Sequence, residues 1–268
     1  FQRISLSATI RPLEAIAEFV GGFRMVGESS RPRYTPRHIT IVHSNVKKKY
    51  DLRVHFPRET TDSEEWDSIW NPLAEKLKKI IAKNRSTLIF VNSRRLCEML
   101  TLLINQGEEE PVAYAHHGSL SLEIRGEVER KLKEGALRAI VATNSLELGI
   151  DIGALDEVVL IQSPFSISST IQRVGRSGHQ VNQVSLGTLF PTHPKDLLEA
   201  ATLAPAILSQ DIESSKTVLC PLDVLAQVIV SMVGDITGPN GYPDGKCNML
   251  DVGMVARLFG INYPSPTY

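Results

Sequence analysis

Cysteine is scarce in this chain of 268 residues: there are three, Cys97, Cys220 and Cys247, far apart and without a C-x-x-C pair. An odd number with no close pair argues against a disulfide framework and a thiolate zinc site, and favours a reducing, cytoplasmic setting. Long apolar runs are missing too. None approaches the roughly 18 residues of a membrane-crossing helix, so a membrane is not an expected partner. The chain opens on Phe1, Gln2, Arg3 and Ile4 with neither a methionine nor a secretory signal, and is expected to be a piece of something longer. Charge of one sign is not in excess, since 29 Lys and Arg face 30 Asp and Glu for a net charge of −1. That balance does not call for a polyanionic partner, yet it leaves room for a local basic surface. A glycine-rich phosphate cradle of the form G-x-x-x-x-G-K-[ST] is also absent. In its nearest approach, Gly241 to Cys247, the glycines stand one residue too close, Pro243 interrupts the loop and Cys247 replaces the required hydroxyl. That segment is a turn. The chain by itself is expected to bind nucleotide feebly and to hydrolyse none.

What is present is ordinary globular material. Apolar residues make up 42% of the chain, enough at this length for one large or two small domains. The spacing predicts a short strand over 4–9, a helix over 12–19 closed by Gly21 and Gly22, and a strand over 37–42. After a basic bend at Lys47, Lys48 and Lys49, residues 50–56 alternate like a strand with one wet face. Residues 59–67 are acidic and polar, a solvated loop before an amphipathic helix over 72–82.

A regular rhythm follows. Strands are expected over 87–91, 112–116, 138–143, 158–162 and 187–190. Helices over 95–105 and 121–134, the second with Ser121 as candidate cap, and a turn and helix over 170–175 separate them. Short apolar strands alternating with helices predict βαβ units, hence an α/β fold with helices on both faces of a parallel sheet. Ligands of such sheets bind at the carboxyl ends of the strands. The loops with Asn92, Ser93 and Arg94, with His116, His117 and Gly118, with Thr143 and Asn144, and residues 172–179 are all expected there or shortly beyond.

Two linked segments carry the chemistry: V-A-T-N-S-L-E-L-G-I-D over residues 141–151 and Q-R-V-G-R-S-G-H over residues 172–179. The second spaces Arg173 and Arg176 one helical turn apart at the mouth of the expected sheet. Arginines so placed can reach a phosphate held by another domain, which points to phosphoryl transfer.

The order S-A-T (7–9), V-N-S-R (91–94), H-H-G-S (116–119), A-T-N-S-L-E-L-G-I-D (142–151) and Q-R-V-G-R-S-G-H (172–179) resembles superfamily-two helicases. The wording A-H-H-G-S-L-S and S-L-E-L-G-I-D-I-G-A-L-D is similar to the Lhr (large helicase-related) family. The resemblance covers residues 1–233 and implies an ATP-driven translocase that moves 3′ to 5′ along single-stranded nucleic acid and displaces a paired strand. It implies that residues 1–44 are the tail of a first RecA-like domain and 45–209 a second RecA-like domain. Residues 210–268 would then be a linker and the start of a winged-helix region, with its opening helix over 221–232 and one more helix over 251–259. It also implies that ATP and Mg2+ are held mainly by the first RecA-like domain, which would supply the cradle and the D-E-x-H box that this sequence lacks. The partners implied are single-stranded DNA or RNA, an RNA–DNA hybrid, and the rest of the same chain.

On that reading each motif has a chemical task. Ser7 and Thr9 offer hydroxyls that can relay the nucleotide state to the opposite domain. Asn92, Ser93 and Arg94 can hold backbone phosphates, although Ser93 fits a helix cap equally well. His117, Gly118 and Ser119 form a second candidate strand contact. A metal reading of His116 and His117 fails, because adjacent residues on an extended chain point oppositely and no second ligand cluster exists. Thr143 and Asn144 complete the strand-binding set. Gly149 permits a tight turn that brings Asp151 toward the ribose. Arg176 is the candidate arginine finger, Gln172 orients water or binds the γ-phosphate, and Arg173 either joins the nucleotide site or ties the motif to the sheet. His179 stands where helicases of this superfamily often carry an arginine, and an unperturbed histidine is mostly neutral at pH 7. A competing reading is a non-catalytic module that keeps this fold and docks nucleic acid or a partner; another is an unrelated α/β nucleotide-binding protein. Arg176 and Gln172 speak against the first, and the missing cradle against the second.

Overall fold

A computed structural model describes residues 4–7, 9–26, 33–42, 48–56, 69–147, 153–178, 183–216, 218 and 221–236. Their contacts divide the chain into two compact units, one built on Ser7–Ile10 with Ser44–Glu213, the other on Phe1–Leu6, Arg11–His43 and Ser214–Tyr268.

The larger unit is a six-stranded, wholly parallel sheet. In chain order its elements are β3 (Lys49–Val54), α2 (Trp70–Lys83), β4 (Thr87–Val91), α3 (Arg94–Asn105), β5 (Ala113–His116), α4 (Leu122–Lys133), β6 (Ala139–Ala142), β7 (Glu157–Ile161), α5 (Ile167–Val174), β8 (Val184–Phe190) and α6 (Pro194–Ser209). The strands lie side by side in the order β3-β8-β7-β4-β6-β5. The smaller unit contributes α1 (Leu13–Gly21), an antiparallel pair of β1 (Phe23–Val26) with β2 (Arg33–Pro36), and α7 (Leu222–Ile236).

The period of two along each strand builds a core on each face of the sheet. Ile89, Val91, Val141, Val159 and Ile161 point to one side, where Leu73, Leu77 and Ile81 of α2 and Leu96, Leu100 and Ile104 of α3 cover them. Leu88, Phe90, Ile140, Val158 and Leu160 point to the other, against Val128 and Leu132 of α4, Val174 of α5 and Ala200 of α6. Helix starts follow from local chemistry: the hydroxyls of Ser93, Ser121 and Ser166 accept the backbone N–H groups of Leu96, Ile124 and Ser169 at the heads of α3, α4 and α5. Gly187 lies where β8 meets α5. A Cβ there would stand 2.8 Å from both Leu52 and Val174, so only glycine lets strand and helix approach.

The parallel sheet with helices on both faces, and its βαβ rhythm, match the sequence reading. Several elements differ. Residues 4–7 and 37–42 have no regular structure, and among the described residues no strand offers either a ladder of hydrogen bonds, without which an alternating pattern is not a strand. Strand β3 does not alternate wet and dry, because it is an edge strand paired with β8 alone. Helix α5 starts at Ile167, three residues before expectation, and α6 was not foreseen. Helix α7 begins at Leu222, one residue inside the expected helix over 221–232, and continues to Ile236. The expected loop over 59–67 and helix over 251–259 lie outside the described residues. No helix among the described residues is long and apolar enough to cross a membrane.

Candidate nucleotide and strand interface

The Q-R-V-G-R-S-G-H segment spans the end of α5 and the turn that follows. Arg173 sits in the last helical turn, whereas Arg176 lies just beyond it. The turn is tight: the Gly175 and Ser177 N–H groups donate to the carbonyls of Ile171 and Val174 at 2.8 and 3.1 Å. A Cβ on Gly175 would come within 2.7 Å of the Ile171 carbonyl oxygen. Gly178, at φ +62°, leaves no room for a side chain, whose Cβ would lie 2.6 Å from the Val184 carbonyl oxygen. Ser185 Oγ donates to the Ser177 carbonyl at 2.7 Å, and Ser177 bridges Leu155, two residues before β7 begins. This corrects the expectation that the whole segment sits at a strand carboxyl end: α5 runs back along the sheet and carries the turn away from that edge.

The two arginines have different settings. Arg173 is buried; its Nε donates to the Glu147 carboxylate at 2.8 Å, one terminal nitrogen to Asn92 Oδ1 at 3.4 Å, and its guanidinium lies 5.2 Å from the Phe90 ring centroid. Of its two expected roles, this geometry favours the tie to the sheet. Arg176 is half-buried and donates to the Glu147 carbonyl oxygen at 2.7 Å. Burial pulls its pKa below the ordinary arginine value, with the Glu147 charge opposing. Lys48 Nζ reaches the carbonyls of Gly175 and Ser177, at 3.0 and 3.4 Å, on either side of Arg176. Burial, and secondarily the charge of Arg176, lower the pKa of that ammonium. Gln172 donates its side-chain amide to Thr9 Oγ1, and the Thr9 N–H lies 3.5 Å from Ser7 Oγ. The Ser-Ala-Thr segment and the arginine segment, distant in sequence, therefore meet.

The second group lies at the carboxyl ends of β4, β6 and β5, three adjacent strands. Neighbouring strands stand about 4.8 Å apart, so these three ends span about 10 Å. Arg94 and Ser93 are exposed after β4, Asn144 is exposed and Thr143 half-buried after β6, and Gly118 and Ser119 are exposed after β5. The Arg94 side chain has no hydrogen bond or ion pair with any described residue. Two expected phosphate contacts are instead turned to the protein. Asn92 donates to the Ser163 carbonyl at 3.0 Å and accepts from Arg173. His117 is buried, with Nε2 at 2.6 Å from Glu98 and Nδ1 accepting the Ser119 N–H at 3.3 Å, so neither ring nitrogen is left for a phosphate. Both fix the loops that present their exposed neighbours. His116 is buried against Ser145 and Glu129, at 2.8 and 3.1 Å. Gly149, Asp151 and His179 lie outside the described residues. Among those described, no three His, Cys, Asp or Glu side chains form a metal-holding group.

Sequence reasoning missed Lys48, Glu147, Glu98 and Asp196. Glu147 stands inside a quoted motif, but nothing local marks it as the partner of Arg173. Asp196 is buried and accepts the N–H groups of Ser163 and Thr192, both at 2.8 Å, pinning the loop before α5. Its only signal was a Pro-Lys-Asp start to an unrecognised helix.

The helicase conserved C-terminal domain family matches residues 72–180. The chain is 39% identical to the Lhr helicase/probable uracil glycosylase of Mycolicibacterium smegmatis, over 86% of this chain and 17% of that protein. It is 41% identical to the ATP-dependent helicase Lhr-Core of Methanothermobacter thermautotrophicus, over 87% of this chain and 26% of the other. A solved structure of the Mycobacterium smegmatis helicase Lhr bound to ssDNA and AMP-PNP superposes with a TM-score of 0.74 at 40% identity, covering 85% of this chain and 29% of that one. The chain thus spans less than a third of the length of each of these relatives.

Proposed function

From a chain that carries a helicase conserved C-terminal domain and is similar to the Lhr helicases over most of its length, we propose the second RecA-like lobe of an ATP-driven translocase acting on single-stranded nucleic acid, moving 3′ to 5′. Residues 45–209 would form that lobe, residues 1–44 the tail of the first, and α7 the opening helix of a winged-helix region. The first RecA-like lobe would cradle the β- and γ-phosphates and hold Mg2+ through the glycine-rich loop and D-E-x-H residues that this chain lacks. Arg176 would stabilise charge developing on the γ-phosphate, with Gln172 beside it linking the nucleotide state to Thr9 and Ser7. Asp151, with Gly149 providing its turn, would bind the ribose, and His179 would complete the nucleotide-facing segment. The strand would pass Ser93 and Arg94, Thr143 and Asn144, and Gly118 and Ser119, loops on three neighbouring strand ends that offer hydroxyls, amides and one full positive charge. Contacts of that kind bind backbone without choosing sequence. The substrate would be single-stranded DNA or RNA, including the displaced strand of an RNA–DNA hybrid.

The supporting observation is Arg176 itself: held on a tight turn, half-buried, and adjacent in the fold to the pair of Gln172 with Thr9. In the complete protein, Arg176→Ala should lower strand-stimulated ATP hydrolysis by about a thousandfold or more while leaving strand binding largely intact. Equal loss of both would make the residue structural and favour the reading as a non-catalytic binding module. Strand displacement by the complete protein on duplex DNA, RNA–DNA hybrid and structured RNA would decide among substrates.

A further inference from the structure

The turn that presents Arg176 has an unusual anchor. The carbonyls on either side of Arg176, those of Gly175 and Ser177, converge on one side-chain ammonium, Lys48 Nζ, at 3.0 and 3.4 Å. Lys48 comes from the segment just before β3, 127 positions away from Gly175, so this is a tertiary clamp and not a local cap. The last carbonyls of a helix have no partners within it, and the negative end of the helix dipole favours a cation there. Other restraints act on the same few atoms. Gly175 packs too tightly for a Cβ, and Ser185 Oγ donates to the Ser177 carbonyl that Lys48 also reaches. The backbone of Arg176 is therefore gripped on both sides, while its side chain reaches out to the Glu147 carbonyl oxygen.

We infer that Lys48 is a positioning residue for Arg176: by holding the Gly175 and Ser177 carbonyls it fixes where the guanidinium is delivered toward a γ-phosphate on the opposite lobe. This rests on the reading of Arg176 as the group that meets that phosphate. Lys48 touches neither nucleotide nor strand in this scheme. Its removal should slow the chemical step and leave both binding equilibria alone.

The experiment uses the complete protein. Lys48→Met keeps the apolar stem and removes the ammonium; Lys48→Arg restores a cation able to donate to the same carbonyls. Misplacing a catalytic group by about 1 Å can cost about a hundredfold, so Lys48→Met should lower the strand-stimulated kcat by about ten- to a hundredfold. The KM for ATP, the strand affinity and the thermal midpoint should stay near their unmodified values, and Lys48→Arg should recover part of the lost rate. Added to Arg176→Ala, Lys48→Met should slow the residual reaction no further, because the two act through one group. An unaltered kcat in Lys48→Met, an additive loss on the Arg176→Ala background, or a parallel fall in strand affinity would each overturn the assignment. Normal hydrolysis by Arg176→Ala is a different failure: it removes the finger reading itself, whatever Lys48→Met does.

Discussion

Arg173 and Glu147 form an ion pair at 2.8 Å that is nearly closed to water, their side chains 7% and 15% exposed. The pair joins α5 to the turn after β6, and the guanidinium also lies over Phe90 and donates to Asn92. Through it the arginine segment, the β4 loop and the β6 loop share one set of hydrogen bonds. A buried pair of this kind is weak evidence for net stability, but removing one partner strands the other charge, at a cost of about 3–5 kcal/mol.

Glu147→Ala should therefore destabilise the fold by about 3 kcal/mol, more than the 0.5 kcal/mol or so expected for a surface substitution. Chemical denaturation followed by circular dichroism would measure it. A loss below about 1 kcal/mol would mean that Arg173 finds water or another acceptor once the carboxylate is gone. Glu147→Gln, which keeps an acceptor for Arg173, should fall between the two.

His116 gives the fold a pH dependence of known sign. Its ring is buried against Ser145 and Glu129. Burial pushes its pKa below the ordinary histidine value; Glu129 opposes through a hydrogen bond and its charge, while Arg125 and His117 add to the lowering. The unfolded chain takes up a proton near pH 6.5 and the folded one resists it. In that window the unfolded state binds more protons, so stability rises with pH and falls as pH drops below about 6.5. Urea midpoints at pH 7.5 and 5.5 should show a larger loss for the unmodified protein than for His116→Gln, whose amide can still donate to Glu129 and accept from Ser145. Equal losses would show that His116 takes up its proton alike in the folded and unfolded chain, and a smaller loss in the unmodified protein would show that pairing with Glu129 holds the proton in the fold.

The parallel sheet was legible because its strands are short apolar runs bounded by helix patterns, as in Leu88, Ile89 and Phe90, whose alternate side chains fill opposite cores. Ser93 and Ser121 were legible as caps because a cap is a local event three residues long. Contacts across the fold were not. Nothing near Gln172 names Thr9, 163 positions away, as its partner, and nothing in a run of three lysines says that Lys48 is turned to the arginine turn. Helix α6 escaped because Pro205 interrupts its pattern, a signal that usually ends a helix. The pair β1 and β2 escaped because Phe-Arg-Met-Val and Arg-Tyr-Thr-Pro are broken by charge and proline and carry no apolar run of the kind that marks the equally short β6. At the site, burial was not legible: Asn92 and His117 are polar residues on the expected loops and yet point into the protein, where a loop's own backbone needs partners.

Arg94 separates the proposed strand contacts from the residues that support them. It is exposed at the head of α3, whereas Asn92 and His117 are engaged within the protein. A side chain that neutralises one phosphate releases condensed counterion, which steepens the fall of affinity with salt by about 0.7 per contact on a single strand. In the complete protein Arg94→Ala should weaken strand binding at low salt and reduce the slope of log K against log salt by about that amount. Thr143→Ala and Asn144→Ala remove neutral groups that release no counterion, so they should lower affinity without changing the slope. Asn92→Ala should act differently again: it frees a nitrogen of Arg173 and the Ser163 carbonyl, and its effect should register as lost stability before lost binding. An unchanged slope in Arg94→Ala would take that residue off the strand path. A changed slope in Thr143→Ala would mean that the hydroxyl positions a cation that meets the strand.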